Sequence, residues 1–142
     1  MKKAILGILV GVCIFSMPVQ AKESHISKFT SSETELLLKV AQAEAGNQGP
    51  DGMWLVMSCI VNRVESSEFP DNLTDVVYQP YQFTTKFGSE ISPEAHEALA
   101  RIERGEIAPQ IVAFETTKSN VLDEYYSSAF EYRDHRFFTL SN

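Results

Sequence analysis

Val40-Ala41-Gln42-Ala43-Glu44-Ala45-Gly46-Asn47-Gln48-Gly49 is the stretch on which the fold and chemistry of this chain turn. Upstream, Leu36, Leu37, Val40 and Ala41 recur at helical spacing and mark one apolar face. Glu44 follows Leu37 by seven residues and Val40 by four, so a continuing helix sets its carboxylate on that same face. Gly46-Asn47 then stops the helix, leaving Glu44 in the last turn beside a loop that a ligand can reach. A carboxylate on an apolar face is partly desolvated. Desolvation disfavours the charged form and raises the pKa, the condition for a general acid near neutral pH. Spacing alone leaves a plainer reading open, in which Glu44 edges the core and snorkels to water.

Working outward, Ser32 with Glu35 forms an S-x-x-E capping box that opens a helix running to about Gly46. Asn47 to Gly52 is a turn cluster, and Asp51 is placed to cap a second helix. That helix carries Met53, Trp54, Val56, Met57, Ile60, Val61 and Val64, a face wide enough to predict a central, largely buried element closed by Asn62 and Arg63. Phe69-Pro70-Asp71-Asn72 reads as a loop and Leu73 to Tyr78 as a short helical turn; Gln79 to Thr84 has no regular period. Ser92-Pro93-Glu94 is a strong helix start, with Ala95, Leu99 and Ile102 facing the core and Gly105 ending the helix. Ile111 to Phe114 reads as a strand and Arg136 to Leu140 as its partner, while Asp123 to Tyr132 carries no assignable pattern. The expectation is an α+β, mainly helical single domain with a small β-hairpin.

Residues 1–21 read as a secretory signal: Lys2 and Lys3, an apolar run from Ala4 to Phe15, then Val19-Gln20-Ala21 as a small-residue cleavage pattern. The run is shorter than the about 20 residues that span a bilayer, so no stable span is expected after cleavage. Cys13 does not make a lipoprotein signal, because Val12 stands where Gly, Ala or Ser is wanted. Residues 22–31 are polar and expected as a flexible lead-in, and 32–142 as the functional domain. Loss of Lys2 and Lys3 takes the formal charge from −7 to −9. With no basic run, nucleic acid and anionic lipid are poor partners, and binding to an anionic wall has to come from a local groove. The expected product is an exported, secreted or envelope-associated monomer. Cys59 is the single thiol after residue 21, so no internal disulfide is available; its apolar run marks it as a small buried hydrophobe.

The chemistry left to these residues is narrow. His25, His96 and His135 are isolated, and no H-E-x-x-H or similar spacing is present. There is no G-x-S-x-G elbow and no Gly-rich phosphate loop, and Cys59 has no electropositive sequence neighbour. Neither metal nor cofactor is expected. Carboxylate acid–base chemistry remains, with Glu44 the best-placed candidate.

Three blocks then resemble one family. Ala43-Glu44-Ala45-Gly46-Asn47-Gln48, followed by Gly52 and Val61-Asn62-Arg63-Val64, is the first. Phe69-Pro70 through Val76-Val77-Tyr78-Gln79 to Gln82-Phe83 is the second, and His135-Arg136-Phe137-Phe138 the third. In order and spacing they are similar to the SleB/CwlJ-type cell wall hydrolases, the group named for spore-cortex-lytic enzymes. The resemblance implies a lysozyme-like domain that cleaves peptidoglycan glycan strands between N-acetylmuramic acid and N-acetylglucosamine, with Glu44 as the catalytic acid. Many relatives carry a second Glu where this chain has Gln48, an amide that cannot serve as base. Glycosidases ordinarily pair two carboxylates, whereas a lytic transglycosylase works with one, because the muramyl 6-hydroxyl attacks its own anomeric carbon. The departure favours the one-carboxylate scheme. Asp51, Asp71 and Asp75 stand as alternative second acids or, more plainly, as cap and loop residues.

The remaining matched positions each have two readings. Gln82 and Phe83 can contact an N-acetyl group and a sugar face, or simply pack a loop. Tyr78 can bind substrate, although a short helix suits core packing. Asn62 either orients Glu44 or satisfies backbone groups, and His135 either reaches the cleft or is structural. Trp54 reads as core, and Arg63 as the partner of a nearby acid. The competing functional hypothesis is a non-catalytic wall- or partner-binding module on the same fold, which the acidic charge and Gln48 both suit.

Overall fold

Thr30, rather than Ser32, begins the first helix. Its hydroxyl accepts from the Glu33 N–H at 3.2 Å while the Glu33 carboxylate accepts from the Thr30 N–H at 2.9 Å, a reciprocal capping box two residues earlier than expected. The computed structural model describes residues 25–141, so the expected signal segment lies outside it. Within the expected lead-in, His25–Lys28 form one turn of 3-10 helix, and Ile26 and Phe29 pack against the helical core. These two apolar side chains give residues 25–29 their contact with the core.

The described residues then form α1 (Ser31–Ala45), α2 (Gly49–Glu65), α3 (Leu73–Val77), α4 (Pro93–Glu103) and three strands, β1 (Ile111–Thr116), β2 (Tyr126–Tyr132) and β3 (His135–Leu140). The helix bounds follow the sequence signals closely. Asp51 is an exception: α2 starts at Gly49 with Pro50 in its first turn, and Gln48 at the cap position makes no side-chain capping bond. Asp51 instead pairs with Arg101 at 2.7 Å.

The central position of α2 is as expected. One side packs with α1, α3 and α4 around Leu37, Val40, Met53, Met57, Ile60, Leu73, Val76 and Ile102. The other side packs Leu55 and Cys59 against Ala108, Ile111 and Phe137 of the sheet region. Three polar residues spaced by four along α2 stitch the chain that leads into β1. Trp54 Nε1 donates to the Glu106 carbonyl at 2.6 Å, Ser58 Oγ accepts from the Ala108 N–H at 3.1 Å, and Asn62 Nδ2 donates to the Ala108 and Ile111 carbonyls, both at 2.8 Å. A helix that would otherwise be buried all round thereby satisfies backbone groups of an irregular segment.

The expected hairpin is a three-stranded antiparallel sheet of order β1-β3-β2. β1 and β3 pair as anticipated, with Phe114 opposite Phe137 and Thr116 opposite His135. The additional strand, β2, occupies most of the unassigned stretch. Its side chains are exposed or half-buried along its whole length, so it lacks the alternation that marks a strand with one buried face. It forms because β3 offers a free edge, and Phe130 stacks on Phe137 with ring centroids 5.3 Å apart.

Gly52 leaves no room for a side chain. A Cβ there would lie 2.3 Å from Gln48 Cβ and 3.5 Å from Tyr132 Cε1. Because the 2.3 Å neighbour is a Cβ rather than the far end of a flexible chain, Gly52→Ala is expected to destabilise the protein by about 3 kcal/mol in urea unfolding. A loss below about 1 kcal/mol would show that the helix start shifts freely to make room.

Candidate active site

Glu44 projects from the last turn of α1, one residue before the buried Ala45 and two before the cap at Gly46. Its side chain is half-buried, and Oε1 accepts from the Thr84 backbone N–H at 2.5 Å. Burial raises its pKa above the ordinary carboxylate value of 4.5, and the Thr84 hydrogen bond works against that rise. Burial prevails. The desolvated acid anticipated from helical spacing is therefore present. Thr84 had no signal in the sequence, since it contributes through its backbone.

A chain of contacts continues from this carboxylate to the sheet. Phe83, next to Thr84, lies 6.1 Å from Phe114 of β1, and Phe114 lies 5.1 Å from His135 at the start of β3. His135 is buried, and its Nδ1 has no hydrogen-bond partner among the described residues. Burial lowers its pKa, and the neighbouring Asp134 charge opposes this. The ring is therefore neutral at pH 7. Asp134 closes the circuit back to the α1–α2 turn: its N–H donates to Gln48 Oε1 at 3.1 Å, and its carboxylate accepts from Gln48 Nε2 at 3.1 Å. Gln48 Nε2 also donates to Asn47 Oδ1 at 2.8 Å. The buried amide thus ties the β2–β3 turn to the end of the helix carrying Glu44. Neither Gln48 nor Asp134 was joined to the other by any sequence signal, as 86 residues separate them.

Of the sequence-derived candidates, Glu44, Phe83 and His135 meet in this circuit, and Gln82 borders it. Asn62 does not orient Glu44; its amide is spent on the Ala108 and Ile111 carbonyls. Tyr78 is not a core residue. It is 53% exposed and lines a surface groove with Leu36, Lys39, Thr74 and Phe87. Arg63 departs most from expectation. It is buried but pairs with no acid among the described residues: Nε donates to the Val112 carbonyl, Nη1 to Gln82 Oε1 at 2.9 Å, and the guanidinium lies over the rings of Phe69 and Phe83 at 4.8 and 5.0 Å. Aromatic faces and carbonyl oxygens take the place of a carboxylate.

No second carboxylate hydrogen-bonds Glu44 among the described residues. Asp51 is paired with Arg101, and Asp71 and Asp75 are held by Asn72 at the start of α3. Cys59 is fully buried, its Sγ lies 4.0 Å from the Ala113 carbonyl, and desolvation pushes its pKa far up, so it is a packing residue. No group of three or more His, Cys, Asp and Glu among the described residues is placed to hold a metal ion. None of the described helices is long and apolar enough to cross a membrane.

With this geometry in hand, the comparisons with known proteins are decisive at the level of family. The cell wall hydrolase family model matches residues 47–138, well over half of the chain. This chain belongs to the cell wall hydrolase family. Glu44 lies three residues ahead of the matched span of that family. The chain is also similar to the spore cortex-lytic enzyme of Halalkalibacterium halodurans, at 28% identity over 89 residues, covering 58% of this chain and 27% of that protein. It thus spans about a quarter of the length of this curated relative. Two solved structures share the fold. The catalytic domain of Bacillus cereus SleB matches with a TM-score of 0.68 at 17% identity, over 78% of this chain and 92% of that one. The catalytic domain of the germination-specific lytic transglycosylase SleB from Bacillus anthracis matches with a TM-score of 0.69 at 17% identity, over 79% and 98%. The α+β cell wall hydrolase fold expected from the three sequence blocks is the fold observed.

Proposed function

We propose that this chain cleaves the glycan strand of peptidoglycan between N-acetylmuramic acid and N-acetylglucosamine, as a lytic transglycosylase in which Glu44 is acid and then base. The carrying observation is Glu44 itself: a half-buried carboxylate with a raised pKa, at the end of a helix and beside an irregular loop. Protonated, Glu44 gives its proton to the bridging oxygen as the bond from that oxygen to the muramyl anomeric carbon breaks. The 6-hydroxyl oxygen of the same muramyl residue then bonds to that carbon, and the Glu44 carboxylate takes the hydroxyl proton. A 1,6-anhydro end results, and the acid is regenerated. Gln48 supports the one-carboxylate scheme, because an amide bonded at both ends to Asp134 has no proton-accepting role to offer. His135, Gln82 and Phe83 are proposed to line the substrate side of the site. An envelope or secreted location, reached through the signal-like residues 1–21, goes with this substrate.

Digestion of purified sacculi followed by mass spectrometry of the soluble muropeptides tests the proposal. Anhydro-muramyl products are expected. Reducing muramyl ends would assign hydrolysis instead, and sacculus binding without any release would favour the non-catalytic module.

A further inference from the structure

In a chain of formal charge −7, a buried positive charge without a counter-ion calls for a reason. Arg101, Arg104 and Arg136 all sit against carboxylates, at 2.7 to 3.3 Å. Arg63, the most buried arginine of the described residues at 3% exposure, faces none. Its Nε and Nη1 are occupied by Val112 and Gln82, whereas Nη2 donates to no group among the described residues. Nη2 is not one of the fully enclosed unpartnered atoms, so it opens on the pocket that Arg63 lines, where an anion can complete the largely buried guanidinium.

The surroundings of Arg63 are shaped for such an anion. The guanidinium borders a pocket of about 80 Å³, walled by Tyr81, Gln82, Phe83, Phe114 and Leu122. That space has room for a carboxylate group beside the guanidinium. Gln82 is exposed, and its Nε2 has only a 3.5 Å contact with the Pro80 carbonyl, so the amide is available as a second donor. Leu122 is held over the pocket by a strap: Arg136 Nη2 donates to Glu115, to the Ser119 carbonyl and to Asp123, and Glu115 accepts from the Leu122 N–H at 3.3 Å. Phe83 forms one wall, and the next residue, Thr84, holds Glu44. The pocket therefore adjoins the segment that holds Glu44.

We infer that the Arg63 pocket is a carboxylate subsite, receiving a free carboxylate of the peptide stem on the muramyl residue at the cleavage site, with Arg63 Nη2 and the Gln82 amide as donors. This inference rests on the peptidoglycan reading above. It gives an acidic protein the local positive contact that an anionic polymer requires, and it makes stem-bearing strands preferred over strands whose carboxylates are masked.

The test uses full-length protein carrying Glu44→Gln, so that binding is read without turnover. Its affinity is measured for native sacculi and for sacculi whose carboxylates have been capped as amides with glycinamide and a carbodiimide. Native sacculi are expected to bind about tenfold more tightly, the scale of one charge-assisted contact. General electrostatics predicts the opposite sign, since capping relieves repulsion from an acidic protein. Adding Gln82→Glu places a carboxylate of the protein's own against the guanidinium. This is expected to raise thermal stability and erase the preference, and it avoids removing the buried Arg63. Equal or tighter binding to capped sacculi, or a preference that survives Gln82→Glu, overturns the subsite. Wild-type muropeptide release without the preference defeats the subsite alone, and the preference without release defeats the cleavage reading alone. No binding to either sacculus defeats both.

Discussion

Glu44→Gln is expected to reduce muropeptide release from sacculi by about 10³-fold, within the range by which a positioned proton donor contributes, while leaving the fold intact. The amide oxygen can still accept from the Thr84 N–H, so the contact that holds the side chain survives. Stability should respond in the opposite direction to activity. Burial raises the Glu44 pKa from 4.5 in the folded protein, so the native state binds more proton than the unfolded chain between 4.5 and the raised value. Stability therefore falls as pH rises through that window, and the deficit persists at neutral pH. The Gln variant lacks this term. It should match the wild type below pH 4.5 and be at least as stable at pH 7, as measured by urea unfolding at both pH values. If Glu44 is the acid as proposed, the alkaline limb of the activity profile is expected to follow loss of its proton and to lie above the ordinary carboxylate range. A folded variant that retains more than about a tenth of wild-type release would remove Glu44 from the role of acid.

Gln48→Glu is expected to cost about 3 kcal/mol at pH 7, because it replaces a donor with an acceptor in a buried pair. Gln48 is 2% exposed, and its Nε2 spans 3.1 Å to the Asp134 carboxylate. With a carboxylate there, two like charges face one another at that separation. They can be held together only by a shared proton, so the loss should shrink as pH falls. Asp134→Asn restores a donor across the same gap and should recover most of the loss. A double-mutant cycle in urea unfolding checks this. A Gln48→Glu cost below about 0.5 kcal/mol that is independent of pH would show the clamp to be dispensable. The clamp also bears on chemistry. It fixes the β2–β3 turn, and with it His135, relative to the helix end bearing Glu44.

The helices were legible because each carries its own boundary signal and a continuous apolar face. Ser92-Pro93 starts α4 as read, and the wide face of α2 is buried on both sides. The capping box was misplaced by two residues because Thr30-x-x-Glu33 and Ser32-x-x-Glu35 satisfy the same pattern, and only the entering backbone chooses between them. β2 was invisible for a different reason. Its stability comes from an edge supplied by β3, not from an alternating face of its own. Arg63 was misjudged because composition suggests that a helical arginine finds an acid. In this fold it meets carbonyls and rings instead.

Local pattern was enough to determine the helix ending in Glu44, the buried helix after it, the β1–β3 pairing and, through three spaced blocks, the cell wall hydrolase family. The helices depend on interactions between residues near in the chain, the family on motifs of fixed spacing, and the β1–β3 pairing on two locally recognisable strand patterns. Tertiary structure alone decided what surrounds the carboxylate: the Thr84 N–H from 40 residues away, the Asp134 clamp on Gln48 from 86, and a guanidinium left without an acid. Those features arise where segments distant in sequence meet, and their energies depend on burial, which no local spacing records.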